Sequence, residues 1–160
     1  GYYMAIDFLI KALTKDDFYE LMLKDDIELK AFHAVWLTVD AEPGYPCRVS
    51  LSDAKIGEKV LALSFCHHNV NSPYRASGPI FVRENAQMVK LDINEVPEML
   101  RHRLLSVRAY NSGKRMIEAE VVLGKELEPV IDRQFQNSDV EYIHIHNANP
   151  GCFNCSVYRA

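Results

Sequence analysis

Tyr142-Ile143-His144-Ile145-His146-Asn147 alternates between apolar and polar side chains. Because successive side chains of a strand point to opposite faces, we expect both isoleucines in a core, with Tyr142, His144 and His146 on the other face. The next residues, Asn149-Pro150-Gly151-Cys152, are rich in turn formers. The stretch therefore predicts a strand that has one buried face and carries two imidazoles together on the opposite face.

A hairpin is predicted ahead of this strand. Leu104–Tyr110 alternates in the same way and ends at a turn at 111–113. In the segment 117–123, apolar residues then alternate with Glu118 and Glu120. This pattern is typical of an antiparallel strand with one wet face, so we expect its apolar residues to point into the core.

Helical and strand patterns are mixed along the rest of the chain. Helices are predicted after Thr14, after Asn94 and over 127–135, and strands at 33–39, 60–65 and 80–83. The polar segment 67–79 reads as a loop long enough to suggest a lid or another functional role. The mixture predicts an α+β fold, in which a mainly antiparallel, bent sheet is packed by two or three helices.

Length and charge limit the class of protein. With 160 residues and 48% hydrophobic composition, the chain fits one domain with a real core. We assign that domain to 4–160 and interpret 1–3 as a cloning remnant or a disordered start. The formal charge of −4 argues against a nucleic-acid partner that the protein would bind through bulk positive potential. The oligomeric state is left open.

Neither a membrane span nor a signal peptide is predicted. No apolar run approaches the roughly 20 residues that cross a bilayer. The N-terminal apolar segment is interrupted by Asp7 and Lys11, which makes it a poor signal peptide. A cytoplasmic location without membrane partners is therefore expected.

The chain has four cysteines, Cys47, Cys66, Cys152 and Cys155. They are too sparse for a disulfide framework, so reduced thiols are expected. Cys152 and Cys155 have the spacing of half a zinc knuckle or of a redox pair, but no second such pair completes a four-thiolate site. Small buried hydrophobic side chains are the favoured interpretation, and the sequence does not decide between metal binding and pairing.

Four motifs in order carry a family resemblance. They are Pro43-Gly-Tyr-Pro-Cys-Arg48, Ser72-Pro-Tyr-Arg75 leading to Gly78-Pro-Ile-Phe-Val-Arg83, Leu104-Leu-Ser-Val-Arg-Ala-Tyr110 and His144-Ile-His-Asn-Ala-Asn-Pro-Gly-Cys152. Together they resemble the bacterial domain-of-unknown-function family numbered 1203, from about Phe32 to Ala160. The resemblance implies a small single-domain protein with no assigned activity, so any site must be argued from side-chain chemistry.

Arginine is the recurring polar residue of these motifs. Guanidinium groups that point into a cleft suit carboxylate, phosphate or sulfate, because the planar fork donates two parallel hydrogen bonds. We therefore predict a site for a small anionic molecule, with His144 and His146 as general acid and base. The expected ligand-binding residues are Arg48, Tyr74, Arg75, Ser106, Arg108 and Asn147.

A zinc-dependent enzyme is one alternative. Two imidazoles at i and i+2 could share an ion, with Cys152 as the nearest third ligand after His144 and His146. His67 and His68 are weaker candidates, because adjacent side chains on a strand point apart and side chains in a loop are solvated. No cofactor is predicted, and zinc is kept as the alternative.

Two other uses of the same residues are open. Cys47 beside Arg48 could act as a nucleophile with a histidine base, although alternation places Cys47 on the opposite side from Arg48 and favours a buried thiol. The polar residues could instead form the surface of a non-catalytic interaction domain. The sequence does not decide whether the protein is an enzyme.

Overall fold

The computed structural model describes residues 5–160, and the proposed start at 1–3, together with Met4, lies outside this range. Two antiparallel sheets dominate the structure. The strands are β1 (Phe8–Lys11), β2 (Ala34–Thr38), β3 (Lys59–His68), β4 (Ala76–Arg83), β5 (Leu104–Tyr110), β6 (Met116–Leu123), β7 (Tyr142–Asn147) and β8 (Phe153–Arg159). The five-stranded sheet has the order β1-β8-β7-β5-β6, and the three-stranded sheet has the order β2-β3-β4.

The helices are short. They are α1 (Tyr19–Met22), α2 (Asp26–Ala31), α3 (Glu98–Arg101) and α4 (Leu127–Gln136), with 3-10 turns at Lys15–Asp17 and Gly124–Glu126. Thr14 caps the first 3-10 turn, as its sequence context predicts. Asn94 has a positive φ and does not cap α3, because Pro97 is the residue that precedes this helix. The side chain of Asn94 instead donates to the carboxylate of Asp7 and accepts from the backbone N–H of Phe8.

One face of the five-stranded sheet forms a core with α4. Apolar residues of β5, β7 and β8, including Val107, Ile145 and Val157, share one buried cluster with Ile131 and Phe135 of the helix. Burying a side chain of this size contributes about 1.5–3 kcal/mol. The predicted alternation of the 142–147 strand is thus confirmed for its isoleucines, both of which are fully buried.

A second core lies against the three-stranded sheet. Leu61 and Val82 of its strands pack with Phe18, Leu29 and Val49. The mainly antiparallel prediction is therefore confirmed, but the strands form two sheets where the sequence pattern predicted one bent sheet.

The predicted loop at 67–79 is too long. β3 continues to His68 and β4 begins at Ala76, so the connection is only 69–75. Between Phe65 and His68, three steps along β3 face two steps along β4, from Gly78 to Ala76. An extra residue of this kind is a β-bulge, which locally breaks the alternation of side chains.

The facing of β6 is the reverse of the prediction. Val121 pairs with Ser106 and therefore lies on the face opposite the α4 core, where it is 59% exposed. Ile117 and Leu123 are exposed as well. Glu120 instead pairs with Arg133 of α4. Periodicity identified the strand, but β6 is an edge strand: Val122 packs against the core, whereas Ile117, Val121 and Leu123 stay exposed in the described chain.

Within residues 5–160, none of the helices is both long and apolar enough to cross a bilayer.

Candidate functional site

The register of β5 and β7 brings four of the predicted site residues together. Arg108 lies opposite His144, and Ser106 lies opposite His146. All four side chains are on the sheet face away from α4, because the residues between them belong to the apolar core. The Nε of Arg108 donates a 3.0 Å hydrogen bond to the hydroxyl of Ser106.

Two histidines from the other sheet complete a histidine cluster of His67, His68, His144 and His146. The ring centroids of His67 and His146 are 5.0 Å apart, and those of His68 and His144 are 5.1 Å apart. The prediction that His67 and His68 are solvated in a loop is wrong. Because of the β3 bulge, two adjacent imidazoles both reach the partner sheet, and the sequence pattern does not reveal such a bulge.

His68 is held in one tautomer by two hydrogen bonds. Its Nδ1 lies 2.8 Å from the carbonyl oxygen of Tyr74, which can only accept, so Nδ1 donates. The Nε2 then accepts from the hydroxyl of Tyr142 at 2.5 Å. Burial raises the pKa of Tyr142 to about 12, which keeps this hydroxyl protonated as a donor.

His146 is also fixed in one tautomer. Its Nδ1 donates to the carbonyl oxygen of Gly151 at 2.8 Å, so in the neutral ring Nε2 carries a lone pair. That Nε2 is buried and has no hydrogen-bond partner among residues 5–160. The Nδ1 atoms of His67 and His144 are buried without partners as well. Three imidazole nitrogens of the cluster are therefore unsatisfied.

Burial keeps these imidazoles neutral. It lowers the pKa of His144 to about 2 and of His146 to about 3, with further lowering by neighbouring histidines and by Arg108. His67 is only half-buried, and desolvation lowers its pKa to about 4. The charged imidazolium is disfavoured because the site is desolvated and already contains a guanidinium.

Arg48 contacts the backbone of Phe153 and has no exposed surface. Its Nε donates to the carbonyl oxygen of Phe153 at 2.7 Å, and Nη1 donates to the carbonyl oxygen of Pro46 at 2.5 Å. No carboxylate of residues 5–160 forms an ion pair with it. Burial lowers the pKa of Arg48, and the nearby Cys152 thiol partly opposes this effect.

Arg48 forms part of the wall of a cavity of about 340 Å³, which we call the Arg48 cavity. Its other walls are Gly44, Pro46, Phe81, Arg103, Leu104, Asn147, Asn149, Pro150 and Cys152. Asn147 donates from its side-chain amide to the sulfur of Cys152 at 3.2 Å and accepts from Asn154 at 2.7 Å. The cavity therefore combines a buried cation, an oriented amide and a half-buried thiol.

The predicted single cleft is divided between two places. The Arg48 cavity contains Asn147, but its walls include none of Tyr74, Arg75, Arg108, His144 and His146. Arg75 is exposed and donates to the side chain of Asn69. The carbonyl oxygen of Tyr74 accepts a hydrogen bond from His68 of the cluster, and the ring centroids of Tyr74 and Tyr110 are 6.3 Å apart. The acid and base roles of the two histidines stay predictions.

The four cysteines are free thiols, and two of them, Cys47 and Cys155, are fully buried. Cys47 accepts from the backbone amides of Ser50 and Arg83, which agrees with a buried structural thiol. Burial raises the pKa of Cys155 to about 12. Within residues 5–160, no three His, Cys, Asp or Glu side chains are arranged to hold a metal ion. The set of His144, His146 and Cys152 is therefore not assembled as a ligand group.

Sequence reasoning missed three residues that shape these places. Phe153 stacks on His67, Arg103 forms part of the cavity wall, and Asn154 orients Asn147. Their roles depend on contacts between distant segments. The Cys152–Cys155 motif did point to this part of the chain, but for its thiols alone.

A family model described as a protein of unknown function, DUF1203, matches residues 44–159. The chain belongs to the DUF1203 family. The match confirms the resemblance carried by the four motifs, and it includes both the histidine cluster and the Arg48 cavity. It attaches no activity to this DUF1203 protein. No curated protein and no solved structure matches the chain.

Proposed function

We propose that this DUF1203 protein binds a small anionic molecule in the Arg48 cavity. The observation that carries the proposal is a fully buried guanidinium with no carboxylate partner among the described residues. Arginine keeps its charge in proteins, and a buried charge is costly unless it is paired. A carboxylate or phosphate in the cavity would supply the missing negative charge.

The charge balance of the cavity wall supports an anion in particular. Arg103 also lines the cavity, but Asp53 accepts two hydrogen bonds from it, at 2.5 Å and 3.1 Å. None of the described residues that line the cavity is Asp or Glu. Arg48 is therefore the cation whose charge an anion would balance, and carbonyl acceptors alone do not neutralise it.

The remaining walls indicate the rest of the ligand. Pro46, Phe81, Leu104 and Pro150 present apolar surface, and the volume of about 340 Å³ lies at the small end of ligand sites. An anionic head with a compact apolar body fits both features. Aromatic or branched carboxylates and phosphate esters are the proposed class. His144 and His146 are not part of this proposal, because neither lines the cavity.

The proposal is tested by isothermal titration calorimetry with benzoate and phenyl phosphate, with neutral benzyl alcohol as the uncharged comparison. We expect the two anions to bind and the alcohol to bind at least tenfold more weakly, because it carries no negative charge to balance that of the buried Arg48. Leu104→Trp should block the cavity and abolish binding. Leu23→Trp, at an exposed position outside the cavity, should leave binding unchanged.

Three results would overturn the proposal. One is the absence of heat with either anion, and another is equal affinity for benzyl alcohol. The third is equal loss of binding in both tryptophan variants, since that would place the ligand elsewhere. Circular dichroism of each variant shows that it is folded before titration.

A further inference from the structure

A second cation without a counter-charge among the described residues, Arg108 of β5, lies opposite His144. We use the name histidine face for Ser106, Arg108, His67, His144 and His146. Arg108 is half-buried, and no carboxylate of residues 5–160 pairs with it. Within this range only its Nε donates a hydrogen bond to the protein, to Ser106. Both terminal amino groups of the guanidinium are free to bind something else.

None of the carboxylates within residues 5–160 contributes to the pKa shifts of the imidazoles of the histidine face. The titratable and charged groups that act on its imidazoles are each other and His68, Tyr110, Tyr142, Arg48 and Arg108. These groups come from β3, β5, β7 and, for Arg48, the segment between β2 and β3, and all are neutral or positive near neutral pH. The local potential is therefore positive, and it attracts an anion and repels a metal ion.

The unsatisfied nitrogens indicate that a polar partner is missing. His144 and His146 are 4% and 1% exposed, yet each has a buried ring nitrogen without a partner, as does His67. Leaving a buried polar atom without a partner costs about 1–3 kcal/mol. One ligand with several oxygens could provide partners for these three atoms and for the two free amino groups of the Arg108 guanidinium.

The tautomer of His146 adds a requirement for a proton. Its Nδ1 proton is used on the carbonyl oxygen of Gly151, so Nε2 offers a lone pair, which would repel an anion. It can donate to an oxyanion only after it takes up a proton. A bound dianion would in turn stabilise the imidazolium, because opposite charges favour each other at short range in a desolvated site.

We infer that the histidine face binds a small oxyanion of the sulfate or phosphate type, and that each anion is bound together with one proton. Arg108 supplies the permanent charge, Ser106 orients it, and the imidazoles supply N–H donors. None of its residues lines the Arg48 cavity, although Phe153 contacts both His67 of this face and Arg48 of the cavity wall.

Sulfate is the probe, because its charge is constant across the range from pH 5.5 to 8. Calorimetric titrations at fixed ionic strength should show affinity rising about tenfold for each pH unit of acidification, the slope for uptake of one proton. Titrations in two buffers of different ionisation enthalpy should give about one proton taken up per sulfate. A pH-independent affinity or zero proton uptake would overturn the inference.

Variants assign the binding to residues. Arg108→Gln should lower the affinity for sulfate by at least tenfold, whereas Arg115→Gln, at an exposed arginine in the turn before β6, should not. His146→Asn keeps a donor near the carbonyl of Gly151 but removes Nε2, so sulfate binding should lose most of its pH dependence. If Arg108→Gln does not fold, the pH dependence of sulfate affinity in His146→Asn decides. If affinity in this variant still rises about tenfold for each pH unit of acidification, the inference is contradicted.

Leu104→Trp separates this inference from the proposed function. With the Arg48 cavity blocked, sulfate should bind with unchanged affinity. Loss of sulfate binding in Leu104→Trp would place the anion in the Arg48 cavity, which would overturn the inference and leave the proposed function standing. Loss of benzoate binding alone supports two separate sites.

Discussion

The imidazole of His67 stacks on the ring of Phe153, with centroids 5.2 Å apart and planes 7° from parallel. The carbonyl oxygen of Phe153 accepts from Arg48 at 2.7 Å. One residue of β8 thus connects the histidine face with the Arg48 cavity and joins the three-stranded sheet to the five-stranded sheet through His67.

Phe153→Leu should destabilise the protein because it removes this stacking and leaves space between the sheets. We expect the free energy of unfolding to fall by about 1–3 kcal/mol. The backbone bond to Arg48 does not depend on the side chain and should persist. Urea unfolding followed by circular dichroism measures the change. Phe32→Leu, at a half-exposed ring, is the control, and an equal loss in both variants would contradict the role given to Phe153.

Acidification should destabilise the protein through its buried histidines. The folded-state pKa values of His144 and His146 are lowered to about 2 and about 3. An unfolded histidine has a pKa of about 6.5, so the unfolded state takes up protons first as the pH falls. The contribution of each neutral histidine is thus complete above about pH 6.5 and is lost progressively below it, down to the folded-state pKa.

Between pH 6.5 and pH 5 this loss is about 2 kcal/mol for each of the two histidines. The contribution of His67 is smaller, because solvent screens a half-exposed ring. Urea unfolding in sulfate-free buffers at both pH values measures the summed loss of stability from these histidines. His144→Gln should reduce the change in the free energy of unfolding with pH, whereas His33→Asn, at an exposed position with positive φ, should not. A stability that is constant over this range would show that the imidazoles are not buried in neutral form.

The hydrogen bond between His68 and Tyr142 should contribute measurably to stability. Tyr142→Phe removes the hydroxyl and leaves the Nε2 of His68 buried without a donor. We expect a loss of about 1–3 kcal/mol in the free energy of unfolding. Tyr19→Phe, at an exposed ring, should change it by less than about 0.5 kcal/mol. The prediction fails if the two substitutions have the same effect.

Alternation of residue types along the sequence predicted which side chains share one face of a strand. The alternation of 142–147 placed His144 and His146 on one face, and that of 104–110 placed Ser106 with Arg108. Pairing between strands then brought these residues together. Periodicity could not show the bulge that turns His67 and His68 toward the same cluster, because a bulge depends on the partner strand.

Arg48 shows a different limit. Its charge predicted a donor that points into a cleft, but the carbonyl oxygens of neighbouring Pro46 and distant Phe153 accept from it and allow it to be fully buried. Contacts between residues 48 and 153 depend on the tertiary fold. The same holds for β6, whose pattern was recognised but whose position at the edge of the sheet was not.

The thiols should differ in reactivity according to their burial. Cys47 and Cys155 are fully buried, and the pKa of Cys155 is raised to about 12, so neither should react with iodoacetamide in the native protein at pH 8. Cys66 and Cys152 are half-buried and should react. Mass spectrometry of native and urea-unfolded samples assigns each site. Saturating benzoate should slow alkylation of Cys152 but not of Cys66, and equal slowing would contradict a ligand in the Arg48 cavity.

Gly124 begins the 3-10 turn before α4 and should tolerate no side chain. A Cβ at this position would lie 1.7 Å from the carbonyl oxygen of Leu100, a backbone atom that cannot rotate away. Gly124→Ala should therefore force the turn away from α3 and lower the free energy of unfolding by more than about 3 kcal/mol, within the range of severe overpacking.

Gly78→Ala is the matched control, because a Cβ there has no neighbour within 4 Å. Alanine also suits a strand slightly better than glycine, so Gly78→Ala should be neutral or stabilising by up to about 1 kcal/mol. Urea unfolding of the pair measures both effects, and a Gly124→Ala protein as stable as the parent would show that the turn and α3 are not in contact.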